Sequence, residues 1–250
     1  RPERWIVIGG LLLILAVQIS AGIVLYNSRQ VWIAAKEREL KNIALVMSDQ
    51  LNGLFDAVMA MQINLAAQIH ARKFSSSEDF ERKQSDRATH LMLKNQAINL
   101  PQVGDIALIN AQGKLFNSSR AWPPQEVDVS NRDFVLELRS NPQLISVLSR
   151  PIRSRAGQTW VVYLARLISG PDGSLIGIVT AAIELPYVSK LLKRVALEPD
   201  SSIAFYQTDG TLLARHPHVE SAVGRIAGPD MLFLKLLADS NHGAGQTIGA

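Results

Sequence analysis

The 250-residue sequence contains no cysteine. Disulfide scaffolds, thiolate zinc sites, iron–sulfur clusters and thiol nucleophiles are therefore excluded. Aromatic residues make up only 6% of the chain, and its charge is almost balanced, 26 Lys+Arg against 22 Asp+Glu leaving +4. A nucleic-acid-binding surface needs a concentrated basic stripe and usually stacking aromatics, so no nucleic-acid partner is expected. The sequence also lacks a phosphate-binding loop, a Gly-x-Ser-x-Gly elbow and any metallohydrolase motif. Gly243 to Gly249 is glycine-rich but has the wrong spacing for a dinucleotide loop. The expectation is a stretch that is not an enzyme and carries no cofactor. What remains is 47% apolar and 19% charged residues, the composition of a folded chain. The sequence starts at Arg1 and ends in a Gly-rich stretch, and it reads as a portion of a longer protein.

The apolar residues are unevenly placed. Trp5 to Tyr26 are 22 uncharged residues in which only Gln18 and Ser20 are polar. As a helix they rise about 33 Å, against a hydrocarbon core of about 30 Å. A cleavable signal peptide has an apolar region of roughly 7 to 15 residues ending at a small-residue site, which this run exceeds. The reading is a membrane-spanning helix at 5–26, with Trp5 and Tyr26 where interfacial aromatics sit. Arg1 and Arg4 precede it, whereas Arg29, Lys36, Arg38 and Lys41 follow. That local count favours a cytoplasmic C-terminal side, but long domains translocate largely regardless of it.

Between Arg29 and Ala71 only Gly53 interrupts a helix-favouring composition, which predicts a stalk helix at 29–71 about 60 Å long. Leu40, Ala44, Met47, Leu51, Leu54, Val58, Met61 and Leu65 alternate at spacings of four and three, a heptad stripe. Packing on the chain's own domain and a parallel homodimer through the stalk both satisfy this stripe.

An internal repeat follows. Ile106 to Ser119 aligns at an offset of 97 with Ile203 to His216, sharing Ile, Ala, Gly and Leu and the apolar pattern. Each copy reads as a strand, a tight turn with Gly at a positive-φ position, and a strand. Three more strands are expected at Leu144 to Ile152, Thr159 to Ile168 and Ser174 to Leu185, giving an antiparallel sheet of about five strands. Helices are expected at Ser130 to Leu138 and at Pro186 to Val195. The fold class is α+β: a transmembrane helix, a stalk, and two tandem PAS-like modules at 72–198 and 199–250. The second module has its hairpin, a helix candidate at Pro229 to Ala238 and a strand start near Gln246, but not its closing strands.

The anchor, stalk and two modules, with Ser118-Ser-Arg-Ala-Trp-Pro-Pro124, Asp128-Val-Ser-Asn-Arg-Asp-Phe134, Ser149-Arg-Pro151, Gly157-Gln-Thr-Trp160, Ala165-Arg166 and Gly173-Ser-Leu-Ile-Gly177, resemble the double Cache (PDC) sensor domains of bacterial receptors. The likeness is to the group found in sensor histidine kinases and diguanylate cyclases. It implies that the first, membrane-distal module holds a ligand, and that an Arg-x-Tyr-Phe motif contributes to carboxylate binding. Here the motif reads Arg132-Asp-Phe-Val135, with Phe134 and Val135 in place of Tyr and Phe.

A guanidinium fits a carboxylate bidentately, so Arg132, Arg150 and Arg166 are the ligand-binding candidates, with Tyr163, Trp122 and Phe134 to close a pocket. A structural ion pair to Asp133 or Glu184 is the competing role for these arginines. His216-Pro-His218 reads as a loop rather than a metal site, since neither Cys nor a clear carboxylate partner accompanies it. The expected protein is a sensor in the bacterial inner membrane, its C-terminal part in the periplasm or outside the cell. It would bind a small carboxylate and signal to a histidine kinase or diguanylate cyclase output domain. A chemotaxis transducer and a membrane-anchored protein-interaction module without a small ligand are the alternatives.

Overall fold

The computed structural model describes residues 3–141, 143–155, 158–195 and 201–228. The helix candidate at 229–238, the strand start near Gln246 and the Gly243–Gly249 stretch lie outside them. The chain forms two compact units, the larger being Ser48–Gly228.

Helix α1 (Glu3–His70) is continuous, so the span and stalk are one element. No proline interrupts it, and Gly53 has nothing against it that a missing side chain would need to fill. Its first part is long and apolar enough to cross a membrane. There, Leu11 to Leu15 and Ile19 to Tyr26 expose their large apolar side chains, as residues facing lipid do.

Within the larger unit, Leu51, Leu54, Val58, Met61, Leu65 and Ile69 of α1 are buried. The heptad stripe from Leu51 onward is thus consumed by the domain's own core, while Leu40 is exposed. Two short helices follow that the periodicity did not announce, α2 (Ser77–Gln84) and α3 (Arg87–Ile98). Their caps explain them: Ser76 accepts from the Asp79 amide and Asp86 from the Thr89 amide.

The sheet contains β1 (Val103–Asn110), β2 (Lys114–Ser118), β3 (Val127–Asp128), β4 (Ser146–Leu148), β5 (Ile152–Arg153), β6 (Trp160–Ser169) and β7 (Leu175–Glu184). Its order is β3-β2-β1-β7-β6-β4, with β5 also paired to β6, and every pairing is antiparallel. The strand expected at Leu144 to Ile152 is split into β4 and β5 because Pro151 offers no amide to the ladder. Ser149 bridges the break, its hydroxyl accepting from the Tyr163 amide. Helix α4 (Asp133–Ser140) begins three residues later than expected, and α5 (Leu185–Val195) leads to β8 (Ile203–Tyr206) and β9 (Leu212–His216).

The repeat is structural as well as textual. In β1–β2 the register shifts between Leu108 and Ile109, and in β8–β9 between Phe205 and Tyr206, the same position 97 residues on. Gly113 at φ +86° and Gly210 at φ +84° occupy equivalent places, each donating to the carbonyl three residues earlier at 3.0 Å. The chain is α+β: a long N-terminal apolar helix followed by a domain built on a curled antiparallel sheet.

Candidate functional site

The three long strands present two faces, because successive side chains alternate. One face belongs to the helices α1, α2 and α3. The Gln62 amide donates to the carbonyls of Leu164 and Val179 at 2.7 and 3.3 Å, and the Phe80 ring lies where a Cβ on Gly177 would fall. The other face packs against α4, with Phe134, Val135 and Leu138 on Ile109, Val147, Ala165 and Ile178.

Register explains why a hollow lies on that second face. Ala107, Thr180 and Ala165 stand opposite one another across β1, β7 and β6, and the adjacent row is Asp105, Ala182 and Tyr163. Small side chains in the middle of a sheet leave α4 resting on its larger neighbours. The resulting cavity is about 40 Å³, lined by Asp105, Ala107, Thr180 and Tyr163 from the sheet floor, by Arg132 and Phe134 from the start of α4, and by Ser154 and Arg155.

Local structure fixes each wall. Gly113 lets the β1–β2 turn press against the segment before α4: a Cβ there would sit 2.4 Å from the Ser130 Cα, and the Gly113 carbonyl accepts from the Val129 amide at 2.8 Å. Arg132 is the N-cap residue of α4, its side chain making no capping bond. Its guanidinium is half-buried and has no hydrogen-bond or ion-pair partner among the described residues. Phe134 is buried and stacks at 5.4 Å, tilted by 36°, on Tyr163. Arg155 donates to the Asp128 carbonyl and lies 3.5 Å from the Asn131 amide oxygen.

Asp105 is the acidic counterpart. Its Oδ1 accepts from the Ser118 and Ser119 hydroxyls at 2.8 Å each. Burial nevertheless pushes its carboxyl above the ordinary range, because those two bonds and the nearby Arg120 offset desolvation only in part.

Of the six residues singled out in the sequence, Arg132, Phe134 and Tyr163 meet at this cavity. Arg166 belongs to the opposite face, paired across the sheet with Val179. Its Nε is buried without a partner among the described residues, and burial alone opposes its charge. The ion pair considered for it is not formed: Asp133 instead accepts from the Phe134 and Arg150 amides. Arg150 is exposed and away from the cavity lining. Trp122 is 44% exposed and donates to the Ser85 carbonyl, at the α2–α3 junction. Sequence reasoning missed Asp105, Thr180, Ser154 and Arg155. Only Asp105 left a trace, as a lone charge between Val103 and Ile106 in an apolar strand.

Neither a family model nor a curated protein matches the sequence. Solved structures do. The extracellular domain of rpHK1S-Z16, a protein assigned as a histidine kinase, superposes with a TM-score of 0.70 at 27% identity, covering 83% of this chain and 81% of that one. The chain carries a Cache-type sensor fold. The sensory domain of the Campylobacter jejuni chemoreceptor Tlp3, solved with isoleucine bound, matches at a TM-score of 0.57 and 14% identity over 81% of this chain and 79% of that one. The ligand-binding domain of the Pseudomonas fluorescens chemoreceptor CtaA, in complex with L-isoleucine, gives 0.53 and 18% over 76% and 71%. These neighbours of the Cache-type domain are sensory and ligand-binding domains rather than catalytic ones.

Proposed function

We propose that this chain is the sensing part of a bacterial transmembrane receptor, held in the inner membrane by residues 5–26 with the sheet domain outside the cytoplasm. In this reading residues 72–198 are the membrane-distal module and 199–250 begin the membrane-proximal one. The ligand is a small α-amino acid taken up between the sheet and α4.

One observation carries the ligand class: an uncommitted guanidinium, Arg132, and a buried carboxylate, Asp105, line the same cavity. The guanidinium offers a planar fork to a carboxylate. The carboxylate, strained by burial, gains a partner from an ammonium group. A zwitterion satisfies both at once, whereas a simple dicarboxylate leaves Asp105 repelling it. Ala107, Ile109, Val129 and Phe134 offer a small apolar side chain a place. The isoleucine-bound neighbours support the same class. Arg132 at the start of α4 and the Ser154–Arg155 segment form walls outside the sheet, so a bound ligand bears directly on both, which couples binding to shape. The likeness to rpHK1S-Z16 favours a histidine kinase as the output over a diguanylate cyclase or a chemotaxis transducer. In this reading a homodimer contact through the stalk runs along Leu40 and Ala44, which are exposed where the stripe from Leu51 is buried.

The test is a melting-temperature screen of the full chain in detergent against amino acids, dicarboxylates and amines. A ligand that binds only the folded state raises the melting point by mass action. Stabilisation by one or a few α-amino acids, lost on N-acetylation or amidation of the same compound, is the expected result. Stabilisation by dicarboxylates alone, or by nothing in the screen, overturns the reading.

A further inference from the structure

A second feature of the larger unit lies outside the cavity and contacts its wall. The turn Val219–Val223 after β9 is fastened to β5 and β6 of the first module by one side chain. Glu220 Oε1 accepts from the Arg153 guanidinium and, at 2.6 Å, from the Trp160 indole, while Oε2 lies 3.0 Å from His218 Nε2. The Arg153 guanidinium also sits 5.2 Å from the Trp160 ring centroid and donates to the Gln158 carbonyl at 2.7 Å. A cavity of about 370 Å³ lies beside this cluster, bordered by Leu185, Pro186, Leu213 and Val223. Val223 and Leu213 are buried beside it, so the joint combines these polar bonds with apolar packing.

Arg153 is followed directly by Ser154 and Arg155, which line the ligand cavity. Arg155 in turn grips Asp128 and Asn131, just ahead of Arg132. Backbone bonds tie the two ends together, since the Ser154 amide bonds the Thr159 carbonyl and β5 pairs with Trp160 and Val161. A displacement of the 154–155 wall must accordingly shift Arg153 against Glu220.

We propose that Glu220, a residue of the second module, is a positioning residue for the ligand cavity of the first: through Arg153 and Trp160 it sets the 152–155 segment, so that filling the cavity and seating the 219–223 turn are coupled. This rests on the ligand-sensing assignment of the cavity and supplies its outward route to the membrane-proximal module. The magnitudes suit a switch. The Arg153 and Glu220 side chains are 50% and 55% exposed, and exposed pairs are individually weak and screened by salt. Such a joint opens without unfolding either side. The seated turn holds the wall in its binding shape, and coupling is reciprocal: ligand binding strengthens the seating by the factor by which the seating strengthens binding.

The experiment compares wild type, Glu220→Ala and Glu220→Asp as full chains in detergent, by hydrogen exchange without ligand and by calorimetric titration with L-isoleucine. Glu220→Ala is expected to raise exchange at Ser154 and at residues 128–132, with melting temperature nearly unchanged. It is also expected to weaken L-isoleucine binding about 2- to 5-fold, the scale of one exposed pair, with Glu220→Asp recovering part of both effects. Faster exchange confined to 218–223, with 154 and 128–132 unchanged, overturns the coupling. If wild type binds no L-isoleucine, the choice of ligand fails, and the exchange arm still decides whether Glu220 positions the cavity wall.

Discussion

The two faces of the β1–β7–β6 sheet are made from the same strands and differ in every functional respect. On the α1 face, Ile106, Leu108, Val162, Leu164, Val179 and Ile183 are large and buried beneath α1, α2 and α3. On the α4 face the central row is Ala107, Thr180 and Ala165, and a hollow with Arg132 and Asp105 at its walls results. Each face carries an arginine. Arg166, on the packed face, has a buried Nε without a partner among the described residues, and Arg132, whose guanidinium likewise has none there, lines the hollow on the other. The difference teaches that the site is made by what the strands lack in the middle, with charge placed at the rim.

The sharpest way to break this comparison is to hollow out the packed face. Leu65→Ala removes a fully buried side chain and is expected to cost about 2 to 5 kcal/mol in urea denaturation, with ligand affinity of the folded fraction unchanged. A loss of affinity as large as that at Arg132 would erase the distinction between the faces. The converse change fills the hollow. Ala107→Val places two methyl groups in about 40 Å³ and is expected to cost about 1 to 3 kcal/mol while abolishing the ligand-induced rise in melting temperature.

A smaller effect separates the two charges. Asp105 keeps its proton to a higher pH when folded than when unfolded. Its burial therefore costs nothing below the ordinary carboxylate range, and the cost grows as pH rises through the raised value and then stays constant. Asp105→Asn keeps the Oδ1 acceptor for Ser118 and Ser119. It should raise the melting temperature at neutral pH, lose that gain near about pH 3, and lose amino-acid binding. A variant less stable than wild type at both pH values would assign Asp105 to structure alone.

Local chemistry made much of this legible in advance. The Gly113 and Gly210 turns, the 22-residue apolar run and the alternation in β6 each depend on neighbours within a few residues. Alternation along β6 sets Arg166 and Tyr163 on different faces but does not decide which face meets α4, because Phe134 and Leu138 make that choice by packing on strands distant in sequence. Asp105 stayed hidden for the same reason: the serines that hold it are 13 and 14 residues away, and Arg132, which lines the same cavity, comes from another element. The heptad stripe was ambiguous in sequence because one periodicity serves two partners, and burial assigns Leu51 onward to the domain.

The central claim is that Arg132 is held free for a ligand carboxylate. Calorimetric titration of an amino acid that stabilises wild type into Arg132→Gln and Arg132→Lys, paired with the melting temperature of each unliganded variant, tests it most directly. The account predicts that Arg132→Gln loses about 1.5 to 3 kcal/mol of binding, about 10- to 150-fold. Arg132→Lys should recover only part of it, since the charge stays but the fork is gone, and both variants should melt with unliganded wild type. An unliganded melting temperature that falls sharply in Arg132→Gln, with affinity unchanged, would contradict it.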